Sequence, residues 1–152
     1  SSLTLIAGDW NAKVGKKKSP EDECLGSFTR GVRNSSGEQL VNFCTINNLF
    51  VANSAFKHRA SHITTWANQR TDPKDPTKTV TIYNQIDYIL CNKDIKSTLI
   101  NAQSIAGTET TSDHHLVICK AEEQTKTTII QDYSRKQTKS TEIKTGNKLN
   151  NQ

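Results

Sequence analysis

The chain has 152 residues, of which 33% are hydrophobic and 23% are charged, with a mean hydropathy of −0.67 and a net charge of +5. This length fits one domain, but the apolar content is low for a complete core, and no apolar stretch has the length of a membrane span. Residues from 126 onward carry +4 and the preceding body only +1, so the net charge alone does not establish a nucleic-acid partner.

The first third of the chain is predicted to contain a short strand, a long loop and one helix. The strand is Leu3–Ala7, and residues 8–35 lack sustained hydrophobic periodicity, which is typical of a loop. A helix is predicted from Ser36 to Asn47, because a capping box at Ser36 precedes apolar residues at helical spacing.

The rest of the body is predicted to alternate strands with short helices. After a strand at Phe50–Ala52, residues 64–66 and 79–83 are predicted to pair as a hairpin with Ala67–Lys78 as its extended tip, because two Asp-Pro pairs favour turns there. The further elements are a buried strand at Ile86–Cys91, a short helix capped by Asp94 and running to Ile100, and strands at Ala102–Ala106 and Leu116–Ala121. This order predicts an α/β (α+β) layered sheet over residues 1–123 and a basic, polar, disordered tail over 124–152.

Four scattered cysteines, at positions 24, 44, 91 and 119, show no C-x-x-C spacing, so a zinc site is not expected. Three of them lie among apolar residues and are predicted to be buried thiols of a reducing compartment, with disulfides of a secreted protein as the alternative. No signal peptide is recognised, which favours an intracellular location, the nucleus included. The chain lacks methionine and a strand begins almost at once, so we expect it to be part of a longer protein.

Three polar clusters stand at the ends of predicted strands: Asp9 with Asn11, Asp87, and Asp113 with His114. A carboxylate beside a buried strand costs several kcal/mol unless it is paired or bound to metal, so shared chemistry is the simplest explanation for three such placements. Asp9 and Asn11 would project from one side of an extended backbone. Asp87 is isolated on an apolar strand, and a short loop could bring His114 to it.

These residue types match the requirements of phosphodiester hydrolysis, which needs an activated water, a divalent ion, hydrogen-bond donors and a polarised imidazole. The predicted roles are water activation by Asp9, donation to a phosphate oxygen by Asn11, a protonated imidazole held by the Asp87–His114 pair, and metal or water binding by Asp113. Taken singly, each cluster also fits a turn, a loop cap or a structural ion pair.

Other basic residues are candidates for less specific roles. His58 and His62 are spaced like one face of a helix, but their Thr-rich context predicts a surface loop without metal, and His115 is expected to face solvent. The candidate phosphate-facing patch, for which a solvated loop is the alternative, is the basic run Lys13, Lys16, Lys17 and Lys18.

The three clusters resemble, in order, the motifs of the endonuclease/exonuclease/phosphatase superfamily, which has the fold of DNase I. The segments are Gly8-Asp9-Trp10-Asn11-Ala12, Gln85-Ile86-Asp87-Tyr88-Ile89 and Ser112-Asp113-His114-His115-Leu116-Val117. The sequence between these motifs, including Thr65-Trp66, is similar to LINE-type retrotransposon endonuclease domains and to craniofacial-development-protein-like relatives. The resemblance covers about residues 3–121.

This resemblance implies the C-terminal portion of a DNase I-like four-layer sandwich, in which two mixed β-sheets are flanked by helices. It implies Mg²⁺ or Mn²⁺ as cofactor, DNA as substrate and no membrane partner. The implied catalytic residues are Asp9, Asn11, Asp87, Asp113 and His114, with Asp9, Asn11 and Asp113 on the metal. The implied DNA contacts are Lys13, Lys16, Lys17, Lys18 and Trp66.

The family's first half supplies a glutamate that is its principal metal ligand, and neither Glu21, Glu23 nor Glu38 stands in a matching context. The resemblance therefore implies weak or no turnover by this chain alone, with the N-terminal half or a downstream reverse transcriptase as partners in the parent protein. Two alternatives stay open at this point. One is a phosphatase of the same fold acting on phosphorylated small molecules or lipids, and the other is a non-enzymatic remnant that binds acidic partners.

Overall fold

The computed structural model describes residues 3–107 and 111–122 together with the backbone of 127–131. Over these ranges the chain forms β-strands, one α-helix and three short 3-10 helices. The strands and helix are β1 (Leu3–Asp9), α1 (Ser35–Ile46), β2 (Leu49–Val51), β3 (Trp66–Asp72), β4 (Asp75–Asn84), β5 (Asp87–Asn92), β6 (Leu99–Ile105), β7 (Leu116–Ala121) and β8 (Thr127–Gln131). The 3-10 helices span Ala52–Ser54, Ala60–His62 and Lys93–Thr98.

A four-stranded sheet with the order β2-β5-β1-β8 forms the centre of the molecule. Its two middle strands, β1 and β5, are antiparallel, with a register that runs from Leu5 opposite Cys91 to Asp9 opposite Asp87. Residues directly opposite in an antiparallel pair lie on the same face of the sheet. The register therefore brings the first two polar clusters together at one end of the sheet.

The two faces of this sheet are covered by different layers. On the face of Leu5, Ile89 and Cys91, the antiparallel pair β6–β7 contributes Ala102 and Cys119 to one apolar core. On the face of Tyr88 and Leu90, helix α1 and the loop at 10–34 complete a second core. The predicted mixed α+β class is confirmed, and the layers form an α/β sandwich.

The loop at 10–34 is held tightly although it contains no helix or strand. Arg33 has a side chain that is only 2% exposed, and it donates to the carbonyl of Val14 and forms an ion pair of 2.6 Å with Asp22. Gly37 faces the same loop so closely that a Cβ there would lie 1.7 Å from the carbonyl oxygen of Lys13. Only glycine permits this approach, so the start of α1 and the loop pack as one layer.

Helix α1 is predicted correctly, but its cap is not the predicted one. The N-cap is Asn34, whose side-chain oxygen accepts from the backbone N–H of Gly37 at 2.8 Å, and not Ser36. Asn34 also accepts from the backbone N–H of Lys13. An N-cap side chain must lie before the first turn to reach these amides, and the capping-box interpretation placed it two residues too late.

The predicted hairpin is present, but the polar stretch 67–78 is not its tip. Strands β3 and β4 pair from Trp66 opposite Asn84 to Asp72 opposite Asp75, so the turn contains only Pro73 and Lys74. A register irregularity next to Thr71 accommodates the second Asp-Pro pair in β4. The cross-strand pairs, several of them threonine and valine, support pairing in spite of the polar composition.

Two other predictions differ from the structure. Asp94 does not cap a helix, because it lies inside the 3-10 helix Lys93–Thr98, whose N-cap residue is Asn92 and which has no side-chain cap. The tail predicted to be disordered from residue 124 contains β8, which pairs in parallel with β1 and covers backbone groups that an edge strand would expose. The rest of that tail lies outside the described residues.

All four cysteines are buried and reduced, as predicted for three of them. Within the described ranges, no helix has both the length and the apolarity that crossing a membrane requires.

Candidate functional site

Two carboxylates lie side by side at one end of the central sheet. Asp9 ends β1 and Asp87 begins β5, and the two residues are directly opposite in the antiparallel register. Like charges in such a position destabilise a sheet, because their Cβ atoms are only about 5 Å apart. Asp87 is 4% exposed, so water cannot fully screen this repulsion. The pair therefore requires a compensating positive group.

The imidazole of His114 lies at that position. Its Nδ1 is 2.9 Å from Oδ2 of Asp87, and its Nε2 is 3.8 Å from Oδ2 of Asp9 and 3.9 Å from Oδ1 of Asp113. A carboxylate only accepts hydrogen bonds, so Nδ1 of His114 is the donor to Asp87. The predicted contact between Asp87 and His114 is confirmed, and the three polar clusters converge on one imidazole.

Buried hydrogen bonds hold Asp87 from both neighbouring segments. The hydroxyl oxygen of Thr65, which is fully buried, accepts from the backbone N–H groups of Ile86 and Asp87 at 2.9 and 3.0 Å. On the other side, the Asn53 side chain donates to the carbonyl of Asp87 and accepts from the N–H of Ile89. Asn53 thereby continues the pairing of β5 past the end of β2, and the start of β5 has little freedom to move.

The loop that carries His114 is attached to the start of β3. Trp66 and His114 form an isolated antiparallel bridge, with the N–H of Ala67 donating to the carbonyl of Asp113 and that of His115 donating to the carbonyl of Thr65. Backbone pairing on both sides of His114 fixes its Cα, which leaves its ring with few rotamers that satisfy Asp87.

Asp113 is held by hydrogen bonds from the hairpin. Its Oδ2 accepts from the indole N–H of Trp66 at 2.7 Å and from the Asn68 amide at 3.4 Å. Burial opposes ionisation of this carboxyl group, but the bonds from Trp66 and Asn68 and the neighbouring His114 outweigh it and lower its pKa. Asp113 is therefore a carboxylate whose second oxygen faces the imidazole.

Asn11 reaches the same region by a route that was not predicted. The extended backbone ends at Asp9, and Asn11 has a φ of +47°, so the two side chains do not project in strand alternation. The backbone N–H of Asn11 instead donates to Oδ1 of Asp9 at 2.9 Å. This turn orients the Asp9 carboxylate and places Asn11 at the edge of the cleft described next.

A cleft of about 270 Å³ opens over this cluster. It combines acidic, amide and basic groups from the ends of β1 and β4, the loop after β1, and the start of β3. Its lining residues are Asp9, Asn11, Lys13, Asn34, Trp66, Asn84, Ile86 and His114.

Of the predicted basic patch, only Lys13 lines the cleft. Lys16 and Lys17 are exposed on the loop, and Lys18 forms a salt bridge of 2.8 Å with Glu38. His115 does not face solvent as predicted, because its Nδ1 lies 2.9 Å from the carbonyl oxygen of Thr64. Neighbouring residues of an extended segment point to opposite sides, so His115 faces away from His114. Its imidazole attaches the loop at 112–115 to the segment before β3.

Three side chains of the site were missed by sequence reasoning: Thr65, Asn53 and Asn84. None belongs to a charged cluster, and threonine and asparagine are common in turns, so their residue types carried no signal. Asn34 did carry a recognisable sequence signal, because an asparagine three residues before Gly37 at the start of an apolar periodic segment is typical of an N-cap.

The donor atoms of Asp9, Asp87 and His114 all lie within 4.8 Å of one another, which is close enough for a shared cation. This group differs from the predicted ligand set of Asp9, Asn11 and Asp113. Two carboxylates and an imidazole suit a transition metal, whereas Mg²⁺ prefers oxygen donors alone. The imidazole already compensates the carboxylate pair, so the oxygens of Asp9 and Asp113 are the donors that remain suited to a hard cation.

The chain is similar to two curated proteins of the same kind. It is 36% identical over 118 residues to craniofacial development protein 2 of Tragulus javanicus and 35% identical over 118 residues to that of Bos taurus. These alignments cover 78% of the chain but only 19% and 18% of the relatives, so the chain spans about a fifth of their length. No family model and no solved structure matches the chain. The predicted similarity to craniofacial-development-protein-like relatives is confirmed.

Proposed function

We propose that this chain is part of a divalent-metal-dependent endonuclease of the retroelement type, which hydrolyses DNA phosphodiester bonds. The observation that carries the proposal is the imidazole of His114 held between Asp87, at 2.9 Å, and the carboxylates of Asp9 and Asp113. A phosphodiester carries negative charge that increases on attack by water, and hydrolysis needs both a proton acceptor and a proton donor. The cluster contains both kinds of group within one cleft.

In this proposal His114 carries a proton on Nε2 and donates it to a phosphate oxygen. Asp87 accepts from Nδ1 and orients the imidazole, in the same way that a buried carboxylate orients the histidine in hydrolases of other folds. Asp9, whose carboxylate is oriented by the N–H of Asn11, is placed to orient and deprotonate the attacking water. The side chains of Asn11 and Asn84 supply amide donors at the edge of the cleft.

A divalent cation fits the oxygen-donor chemistry of this site. We infer that Asp9, Asp113 and the side-chain carbonyl of Asn11 would hold Mg²⁺ or Mn²⁺, since these ions prefer carboxylate and carbonyl oxygens. When bound, such an ion neutralises phosphate charge and stabilises the leaving oxygen. Trp66 and Asn68 prepare Asp113 for this role, because their hydrogen bonds favour its ionised form.

The resemblance of the three motifs to the endonuclease/exonuclease/phosphatase superfamily adds support. We also infer that turnover by this chain alone is slow. Among the described residues no glutamate belongs to the group of neighbouring donor atoms formed by Asp9, Asp87 and His114. An endonuclease of this type would act on nuclear DNA, with the remaining metal ligand and a reverse transcriptase supplied by other parts of the parent protein.

The test is the nicking of supercoiled plasmid DNA by excess protein with Mg²⁺, since one cut per plasmid is enough to be seen. We expect slow nicking that stops on chelation of the metal and falls about 10² to 10⁴-fold in Asp9→Ala and in His114→Ala. The matched control is His115→Gln, which changes the neighbouring histidine and keeps a donor for the Thr64 carbonyl. It should nick like the unaltered chain.

Two results would contradict the proposal. Failure of the folded chain to nick DNA at any protein excess would remove the endonuclease activity, and release of phosphate from phosphorylated small molecules or lipids without nicking would make the chain a phosphatase instead. Rapid multiple-turnover nicking would contradict only the inferred slowness. Salt-sensitive DNA binding that is indifferent to Asp9→Ala and His114→Ala, with no cleavage, would favour a non-enzymatic binding protein.

A further inference from the structure

A second and larger cleft lies away from the His114 cluster. It has a volume of about 780 Å³ and is formed by the segment before β3 together with β6. Its lining residues are Lys57, His58, Arg59, His62 and Gln103. Four of these five side chains are basic, and no acidic side chain belongs to the described lining.

The two long cations of this cleft have no salt-bridge partner among the described residues. Lys57 and Arg59 are exposed, and neither forms a salt bridge within the described parts of the chain, unlike Lys18, Arg33 and Lys93, which are paired with carboxylates. Cations gathered without acidic partners raise the local positive potential, and a concave surface concentrates it. The cleft therefore favours an anion.

The two histidines are oriented as further donors. The Nε2 of His58 lies 2.8 Å from Oδ1 of Asn101, and the Nδ1 of His62 lies 3.0 Å from the carbonyl oxygen of Ser104. Both partner atoms are acceptors, so these ring nitrogens carry hydrogens and anchor the rings to β6. The opposite nitrogen of each ring, on protonation, becomes a donor that is already oriented, and the ring centroids are only 6.4 Å apart.

We propose that this cleft is an accessory phosphate-binding site for the backbone of a DNA strand that passes beyond the His114 cluster. A guanidinium, an ammonium group and two imidazoles are the donors with which proteins bind phosphate, and Arg59 can bind two phosphate oxygens at once. Gln103 adds a neutral amide donor. The identity of the ligand as DNA rests on the proposed nuclease function, whereas its phosphate chemistry follows from the cleft itself.

The short segment between the two clefts limits how far apart they can lie. His58 lines the accessory cleft and Trp66 lines the cleft over the cluster. They are eight residues apart, so their Cα atoms cannot be more than about 30 Å from each other. At about 3.4 Å per nucleotide along the axis, both clefts lie within roughly nine nucleotides.

Hydrogen bonds also join the two clefts. Nδ1 of His62 donates to the carbonyl of Ser104, and the hydroxyl of Ser104 donates to the carbonyl of Thr64. The same carbonyl oxygen of Thr64 lies 2.9 Å from Nδ1 of His115. His115 in turn adjoins His114. The accessory cleft therefore has a fixed position relative to the cluster, as a binding site for a continuous substrate requires.

The chain has four histidines: His58 and His62 line the accessory cleft, His114 lines the other cleft, and His115 follows it in the chain, so their imidazole NMR signals report on both sites at once. The experiment adds a short DNA duplex without metal to the full chain and follows the four signals, with inorganic phosphate as a second probe. Fluorescence anisotropy of the labelled duplex over a range of salt concentrations gives the number of phosphate contacts. The variant is Lys57→Gln with Arg59→Gln.

The matched control is Lys93→Gln with Lys96→Gln. It removes the same charge from the 3-10 helix that follows β5, at the end of that strand opposite to Asp87. We expect DNA to shift the signals of His58 and His62 in the unaltered chain. In the Lys57/Arg59 variant the slope of log affinity against log salt should fall in magnitude by about 1.8, since each phosphate contact contributes about 0.9, while the control retains the slope.

Unshifted His58 and His62 signals at saturating DNA would overturn the proposal, and so would equal slopes in the variant and the control. If inorganic phosphate shifts the signals of His58 and His62 but DNA does not, the site binds phosphate and its assignment to DNA is overturned. If the chain fails to nick plasmid but DNA still shifts His58 and His62, the nuclease function fails and the accessory site is upheld. If the chain nicks DNA while these signals stay unchanged, the accessory site fails alone.

Discussion

The two ends of β5 place very different side chains on one face of the same strand. Asp87, Ile89 and Cys91 alternate along it and point to the same side of the sheet. Ile89 and Cys91 enter the core against β6 and β7, with exposures of 1% and 0%. Asp87 is nearly as buried, yet its surroundings are the imidazole of His114 and the backbone ties made by Thr65 and Asn53.

Burial alone does not decide which residue a strand accepts. At the apolar end, burial raises the pKa of the Cys91 thiol to about 12, with Cys119 and Asp94 adding to the effect, so a charge there is strongly opposed. At the polar end, the imidazole of His114 lies at hydrogen-bonding distance from the carboxylate of Asp87. The same depth in the protein is therefore favourable for a charge only where the loop at 112–115 supplies the imidazole.

The largest effect on stability is expected from Ile89→Ala, in the middle of the face. Removing this side chain leaves a cavity between the two sheets and should lower the free energy of unfolding by about 2–5 kcal/mol, as measured by urea denaturation. The DNA-nicking rate per folded molecule should change little, because Ile89 belongs to the apolar core and carries no group of the proposed chemistry. A loss below about 1 kcal/mol would show that the core between the sheets is loosely packed.

The next effect is expected from Cys91→Ser, which moves a polar group to the apolar end. The hydroxyl finds no side-chain partner among the described residues of that core, so the free energy of unfolding should fall by about 1–3 kcal/mol. Cys91→Ala separates the loss of volume from the cost of burying the hydroxyl. If the serine variant proved as stable as the alanine variant, the contrast between the two ends would not be one of polarity.

Asp87→Asn tests the polar end with almost no change in shape. The amide oxygen can still accept from Nδ1 of His114, but the charge is lost, so we expect the free energy of unfolding to fall by about 1–2 kcal/mol. The nicking rate should fall about a hundredfold, because the imidazole no longer has a charged support. Unchanged nicking with lowered stability would mean that the pair is structural only.

The smallest effect is expected from Trp66→Phe, which removes the indole donor to Asp113. The pKa of Asp113 is lowered in the folded chain, so its contribution to stability is present above the unfolded-state pKa and disappears as the pH falls through the folded-state pKa. Without the donor the pKa should rise towards its ordinary value, and stability at neutral pH should fall by about 1 kcal/mol.

Carbon-detected NMR titration of the Asp113 carboxyl group measures this shift directly, and denaturation in acid should show a shallower pH dependence in the variant. Asn68→Ala removes the longer of the two bonds to the same oxygen and should have a weaker effect in the same direction. An unchanged titration in Trp66→Phe would show that Asp113 owes its ionisation to His114.

Most strands were predictable because their side chains alternate or form short apolar runs next to turn residues. The observed strand Leu116–Ala121 has the predicted bounds. The strand predicted at Leu3–Ala7 is two residues longer in the structure and ends at Asp9. The hairpin strands β3 and β4 were underestimated, since they form a two-stranded arm with mostly polar residues. In such an arm the backbone pairing, and not burial, stabilises the strands, and backbone pairing leaves a weak trace in the residue types.

The candidate site was predictable in its charged members and not in its support. A carboxylate on an apolar strand requires a partner, because burying an unpaired charge is costly. For this reason the contact between Asp87 and His114 could be predicted from the sequence. Thr65, Asn53 and the indole of Trp66 act through geometry that residue type alone does not reveal. The accessory cleft at His58 and His62 was missed for the same reason, because the sequence indicated only a loop.

The sequence by itself determined which residues would need one another. Asp9, Asp87, Asp113 and His114 stand beside buried strands, and the cost of burying charge requires that such groups be paired wherever the chain takes them. Only the tertiary structure decided how they pair, through the register that sets Asp9 opposite Asp87 and the bridge that fixes His114 beside Trp66. Register and loop closure depend on contacts between segments distant along the chain, and local sequence patterns cannot specify those contacts.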